Sequence, residues 1–237
     1  MDPHRRRALC QLAAFAALPW TALAQPHRET TRLIAALSPP YVYRSPEGSD
    51  GPALNAARDL AKLASFADPI ELLPWEQALA QADLSPFTLV FPLERTLELE
   101  SHFLWLAPLM ADEWVIVSFR PIERDSDPLV GTLHHSGGME LAGHLGYAAP
   151  VPFAHPEEGL HHLLSGRLDG WLAPRRQSEY QLQLAGIRGL HWSSGLAPFT
   201  LYLAAHRLLP DAQLRRWRHA TRAGQRGGRF GYDEELA

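Results

Sequence analysis

Cysteine is nearly missing from this chain. Cys10 is the single one in 237 residues, so a disulfide framework is excluded and thiol chemistry is confined to the first few residues. No apolar run reaches the ~20 residues that a membrane-crossing helix needs. No internal repeat or low-complexity stretch occurs. Positive charge is not in excess either. The formal net charge is −4, and a mildly acidic chain lacks the basic footprint that nucleic acid selects. The zinc-binding spacings H-x-x-x-H and H-E-x-x-H are absent. So is the serine-hydrolase elbow Gly-x-Ser-x-Gly, because His191-Trp192-Ser193-Ser194-Gly195 lacks its first glycine.

What is present begins with a leader pattern. His4-Arg5-Arg6-Arg7 is basic, residues 8–20 are apolar apart from Gln11, and Thr21-Ala22-Leu23-Ala24 ends on small residues. That order predicts a signal peptide over residues 1–24, cut before Gln25, and therefore export to the periplasm. Arg6-Arg7-Ala8-Leu9 loosely resembles a twin-arginine signal, which leaves the export route open. Cys10 sits too early, behind Arg7-Ala8-Leu9, to be a lipoprotein acylation site. Loss of Arg5, Arg6, Arg7 and Asp2 with the leader takes the formal charge from −4 to −6.

The rest alternates between strand-like and helix-like segments. Residues 33–37 read as a strand stopped by Pro39-Pro40. Leu54, Ala57, Leu60, Ala61 and Ala64 recur at helical spacing, and residues 70–73 and 88–91 read as buried strands. Residues 114–119 form a longer β-rich run. After the polar connector 121–128 the pattern restarts: a strand at 129–133, a His- and Gly-rich turn at 134–138, a helix marked by Leu160, Leu163 and Leu164, and a strand at 168–172. A strand at 199–204 and a helix opened by Pro210 and closed by Gly224 follow. Strand, helix, strand in repetition predicts an α/β fold with parallel sheet. Two lobes are expected: lobe 1 from 25–118 plus 195–237, and lobe 2 from 119–194.

Five pieces in order carry a family likeness: Ser38-Pro39-Pro40-Tyr41-Val42-Tyr43; Leu73-Pro74-Trp75-Glu76-Gln77-Ala78-Leu79; Arg95-Thr96 with Phe103-Leu104-Trp105-Leu106-Ala107-Pro108-Leu109; Val130-Gly131 with Ser136-Gly137; and Leu164-Ser165-Gly166-Arg167-Leu168-Asp169. Over nearly the whole chain after the leader, this resembles family 3 of the extracellular solute-binding proteins, the polar amino-acid-binding components of ABC importers. The resemblance implies a two-lobed periplasmic-binding-protein-like (type II) fold with a ligand cleft between lobes, closing on its ligand by hinge motion.

Ligand contacts are expected from turns that follow strands. Tyr41 and Tyr43 could stack on a solute and bond its polar edge, and Trp75 could wall the cleft. Arg95 could grip a carboxylate bidentately, beside Thr96. His134, His135 and Ser136 lie in the turn where the family's second lobe meets ligand, and backbone N–H groups there could cradle an anion. Two departures redirect the ligand. The family's carboxylate-binding arginine lies three residues after the threonine, where this chain has Leu99. Its ammonium-binding aspartate is replaced by Pro174, next to Arg175 and Arg176. A solute that is small and polar, and on the arginine argument anionic, is therefore expected in preference to a zwitterionic amino acid.

Neighbouring histidines point apart on a helix or strand, so neither His134-His135 nor His161-His162 is expected to hold a metal. No cofactor and no catalysis are expected. The expected partners are the solute and an ABC permease or membrane sensor, with no nucleic acid and a monomeric chain. The arginines between Arg215 and Arg229 read as a solvated helix face. A stand-alone sensory or degenerate clamp is the second reading. A cyclohexadienyl-dehydratase-like enzyme is the third, with His134, His135 or Glu94 as the general acid.

Overall fold

The computed structural model describes residues 31–227 apart from 124–126 and 148. The expected signal peptide at 1–24, with Cys10, and Arg229 lie outside the described residues. The first half of the chain runs β1 (Arg32–Leu37), a small hairpin of β2 (Tyr43–Ser45) and β3 (Gly48–Asp50), α1 (Pro52–Leu63), β4 (Glu71–Pro74), α2 (Trp75–Leu84), β5 (Thr88–Glu94), α3 (Leu97–Glu100) and the long β6 (Phe103–Ser118). The second half runs β7 (Val130–Leu133), α4 (Gly137–His144), β8 (Val151–Phe153), α5 (Glu158–Leu164), β9 (Gly170–Pro174), α6 (Arg175–Leu184), β10 (His191–Trp192), β11 (Ala197–His206) and α7 (Asp211–Arg226).

One sheet carries both lobes. Its order is β4-β1-β5-β11-β6-β9-β7-β8, with β10 also on β6. β1 is parallel to both β4 and β5, and β7 is parallel to both β8 and β9. Each lobe thus has the βαβ core that the alternating sequence predicts, followed by an antiparallel strand borrowed from the crossover. β6 is that shared element: residues 103–114 pair with β11 and residues 114–118 with β9. The expected strand at 114–119 is only its last third.

Local sequence explains the helices that cover one face of the first lobe. Pro52 starts α1 without losing a needed hydrogen bond, and Leu54, Ala57, Leu60 and Ala61 form its buried stripe. Gly51 before it has φ +132, and a Cβ there would overlap the Tyr41 carbonyl, so the turn that places Tyr41 requires glycine. In α7, Trp217, Ala220, Thr221 and Gly224 are buried. Gly224 therefore packs inside the helix, which ends at Gly227 instead.

Three apolar clusters result. The first lies under α1 and α7, where Leu54 and Trp217 meet Leu33, Leu89, Phe91 and Leu203. The second covers the opposite face of the sheet and is continuous through both lobes, from Ile34, Trp75 and Ala78 to Leu160, Leu163 and Trp171. The third joins Trp114, Ile116, Val130 and Leu172 to Ala142 of α4. The β6–β11 ladder is bulged twice, leaving Leu109 and then Leu106 without cross-strand partners. Among the described residues, no helix is long and apolar enough to cross a membrane.

Candidate functional site

The cleft between the lobes has a cavity of about 720 Å³. Leu37, Pro39, Tyr43, Arg44, Pro74 and Trp75 line it from the first lobe; His155, Pro156, Tyr180 and Gln181 are among those lining it from the second. Tyr43 faces Tyr180 across the gap with ring centroids 6.1 Å apart, a spacing at which aromatic rings interact favourably. Arg44 reaches this cleft, and its guanidinium donates to the Leu72 carbonyl at 3.1 Å. The walls are mainly apolar with a few polar groups, the usual make-up of a small-molecule site.

Beside the cavity the lobes are joined by polar contacts. The buried Trp75 indole donates to the His134 carbonyl at 3.3 Å. Glu94, at the end of β5, accepts from the Trp114 indole at 3.0 Å and from the Gly137 amide at 3.0 Å. A Cβ at residue 137 would overlap the Glu94 carboxylate. This carboxylate therefore sits at the N-terminus of α4, where backbone N–H groups and the helix dipole favour an anion. Burial dominates its protonation: desolvation lifts the Glu94 pKa to about 7, against the pull of those two donors. In return, Glu140 of α4 accepts the Leu97 amide at 2.6 Å. Asp112 of β6 accepts the Tyr41 hydroxyl and the Arg176 amide, the latter at 3.2 Å. Burial raises the pKa of Asp112 and carries that of the Tyr41 phenol well above its ordinary value.

The expected site residues separate into three groups. Tyr43 and Trp75 line the cavity. Tyr41 lies beneath it, 2 % exposed, with its hydroxyl committed to Asp112. Arg95, Thr96 and Ser136 have other employment. The Arg95 guanidinium, just before the short α3, pairs with Glu100 at its last position, at the surface. Thr96 caps α3, accepting the Leu99 amide. The Ser136 hydroxyl donates to the Leu133 carbonyl at 2.6 Å. Arg95 is not among the residues lining the cavity, whereas Arg44 is.

His134 and His135 form the third group. Their rings are 3.7 Å apart, and both face Glu76 of α2 with nitrogen–oxygen distances of 3.8 Å. The expectation that neighbouring histidines diverge fails here because His135 has φ 52. That left-handed turn between β7 and α4 brings the two side chains to one side. Asp112, Glu76, Tyr180 and Arg44 are residues at or beside the cleft that sequence reasoning did not single out; Glu94 is the carboxylate also expected as a general acid in the enzyme reading.

No protein-family model and no curated protein matches the chain. Solved structures do match over most of its length. A histidine kinase sensor domain with similarity to periplasmic binding proteins is 14% identical, with a TM-score of 0.72, over 85% of this chain and 93% of its own. The arginine-, lysine-, histidine-binding protein ArtJ from Geobacillus stearothermophilus is 14% identical, with a TM-score of 0.72, over 84% and 91%. EhuB in complex with hydroxyectoine is 16% identical, with a TM-score of 0.73, over 85% of each chain. The fold is therefore the two-lobed α/β fold of the periplasmic binding proteins.

Proposed function

We propose that this chain is a periplasmic solute-binding protein that takes a small polar solute into the interlobe cleft and delivers it to an ABC importer. The observation that carries this reading is a cavity of about 720 Å³ lined from both lobes, with Tyr43 and Tyr180 facing each other across it. A solute seated against both rings in the cavity contacts both lobes at once, which is what couples binding to closure. Arg44 takes over the part first expected of Arg95, offering a cation for an acidic group on the solute. The lobe boundaries belong to the same proposal. The second lobe is best counted from Trp114, where β6 passes from β11 to β9, and the return falls in the segment before β11.

A sensory clamp is the second reading, and one feature favours it. Glu94 occupies the anion seat at the start of α4, so the lobes are joined there by the protein's own carboxylate. The likeness to a histidine kinase sensor domain is consistent with this. An enzyme ranks third: Glu94 has the raised pKa of a general acid, yet its carboxyl is engaged by Trp114 and Gly137.

Thermal unfolding of the purified protein against amino acids, organic acids, polyamines and sugars tests the proposal. Ligand at ~100 times its dissociation constant stabilises by about 2.7 kcal/mol, roughly 5–10 °C for a chain of this size. Tyr180→Ala and Arg44→Ala should abolish the shift, and Arg95→Ala should keep it. A folded protein that responds to no class of solute moves the assignment to the sensory reading.

A further inference from the structure

A second constellation lies at the rim of the cleft, and the solute does not account for it. Glu76, in the first turn of α2, and the adjacent His134 and His135 place one ligand atom each within 4.8 Å of one another. They come from different lobes. Glu76 Oε1 lies 3.8 Å from His134 Nδ1, and Glu76 Oε2 lies 3.8 Å from His135 Nε2. Neither distance is a hydrogen bond, and Glu76 Oε1 is a buried oxygen without a hydrogen-bond partner. A buried carboxylate oxygen left in this condition is costly unless something else fills its lone pairs. His135 is held at φ 52, a region that non-glycine residues enter rarely and that concentrates at ligand clamps.

We propose that these three side chains bind one late first-row divalent cation, Zn(II) in the first instance, and that the ion latches the two lobes together. Zinc–ligand bonds of ~2.0–2.1 Å put tetrahedral ligand atoms about 3.4 Å apart, so the ligand atoms, within 4.8 Å of one another, must draw inward on the ion. Two imidazole nitrogens and one carboxylate suit zinc, copper or nickel and poorly suit magnesium or calcium, which select oxygen ligands. Glu98 of α3 completes the arrangement. Its carboxylate lies 2.5 Å from His135 Nδ1, fixing a proton there and leaving Nε2 to face the metal, as carboxylates behind ligating histidines commonly do. Three protein ligands leave a fourth position. A neighbouring hollow of about 220 Å³, lined by Glu76, Glu98, His102 and His135 among others, has room for a water or Lewis-basic group to fill it.

The test is calorimetric titration of the chelator-treated full chain with zinc chloride, with magnesium chloride as control and no organic solute present. Binding of one zinc per chain is expected, with two imidazole nitrogens in its X-ray absorption spectrum. Glu76→Gln, His134→Ala and His135→Ala should each weaken binding at least tenfold, and Glu98→Gln by roughly 10–100-fold. A variant changed at the other adjacent pair, His161→Ala with His162→Ala on α5, should bind like the parent. Thermal unfolding without metal checks that every variant is folded. Absence of zinc uptake by the parent overturns the proposal, as does uptake that survives the changes at Glu76, His134 and His135 in folded protein. Because no solute enters the titration, its failure leaves the solute-binding reading intact, and the converse also holds.

Discussion

Glu94 gives the molecule a pH dependence with a definite sign. Its ordinary pKa of 4.5 is lifted by burial to about 7 in the folded state. Below 4.5 the carboxyl is neutral in both states and its contribution is fully present. As pH rises through 7 the folded state must hold a charge in a dry site, and that stability is lost. A shift of this size corresponds to about 3 kcal/mol. Denaturant unfolding at pH 5 and pH 8 should therefore show the parent less stable at pH 8. Glu94→Gln, whose single amide oxygen can accept from only one of Trp114 and Gly137, should lower stability overall but flatten the curve between them. An unchanged slope would remove Glu94 as its source. At this scale the sequence was a partial guide. The position of Tyr43 and Trp75 in the cavity wall was legible because the segments after parallel strands lie at the edge of the sheet. The ion pair of Arg95 with Glu100 was not legible, because it depends on how the short α3 turns between them. The convergence of His134 and His135 depends on one left-handed residue, and nothing in two adjacent histidines announces that.

Two glycines in helices separate packing from propensity. Gly159 of α5 lies against the fully buried Trp171, and a Cβ there would overlap its indole. Gly143 of α4 has no neighbouring atom in the way. Gly143→Ala should stabilise by roughly 0.5–1 kcal/mol from backbone entropy. Gly159→Ala gains the same preference but overpacks the core, typically at 1–3 kcal/mol, and should destabilise on balance. Urea midpoints of both variants, measured together, check the pair; two stabilising results would mean that Trp171 moves freely. Elements were readable in proportion to their apolar stripe. α1 and α7 have one, whereas α6 buries Gln177, Ser178 and Gln181 through hydrogen bonds such as Gln181 to the Pro156 carbonyl. Its polar sequence gives no helical period. α4 is too rich in glycine to declare itself.

Both lobes share β6, so neither has a sheet of its own to unfold with. Their separate helices rest on one hydrogen-bonded platform, and the second apolar cluster runs through both. A single unfolding transition is the expected behaviour. Amide hydrogen exchange should give matching opening free energies for β5 in the first lobe and β9 in the second; a difference of several kcal/mol would show independent lobes. The first part of β6 escaped sequence reading because its alternation is broken. Phe103 and Trp105 belong to the cluster shared by both lobes, Ala107 and Leu109 to the one under α1 and α7, and Val115 and Val117 to the shared cluster again.

That reversal follows from parity. Each bulge inserts one residue and exchanges the faces of the strand beyond it, so two bulges exchange and then restore them. Leu106 and Leu109 act as a matched pair of frame shifts. Each is the residue without a cross-strand partner, so deleting one removes its bulge and leaves the remaining pairs, Trp105 with Ala204 and Ala107 with Leu203 among them, in register and on their own faces. An extra or missing residue elsewhere in the strand has no such outlet: unless a new bulge absorbs it, everything beyond, Val115 and Val117 included, turns to the wrong layer. The strand thus tolerates a change of length at two positions, a property no single side chain reveals.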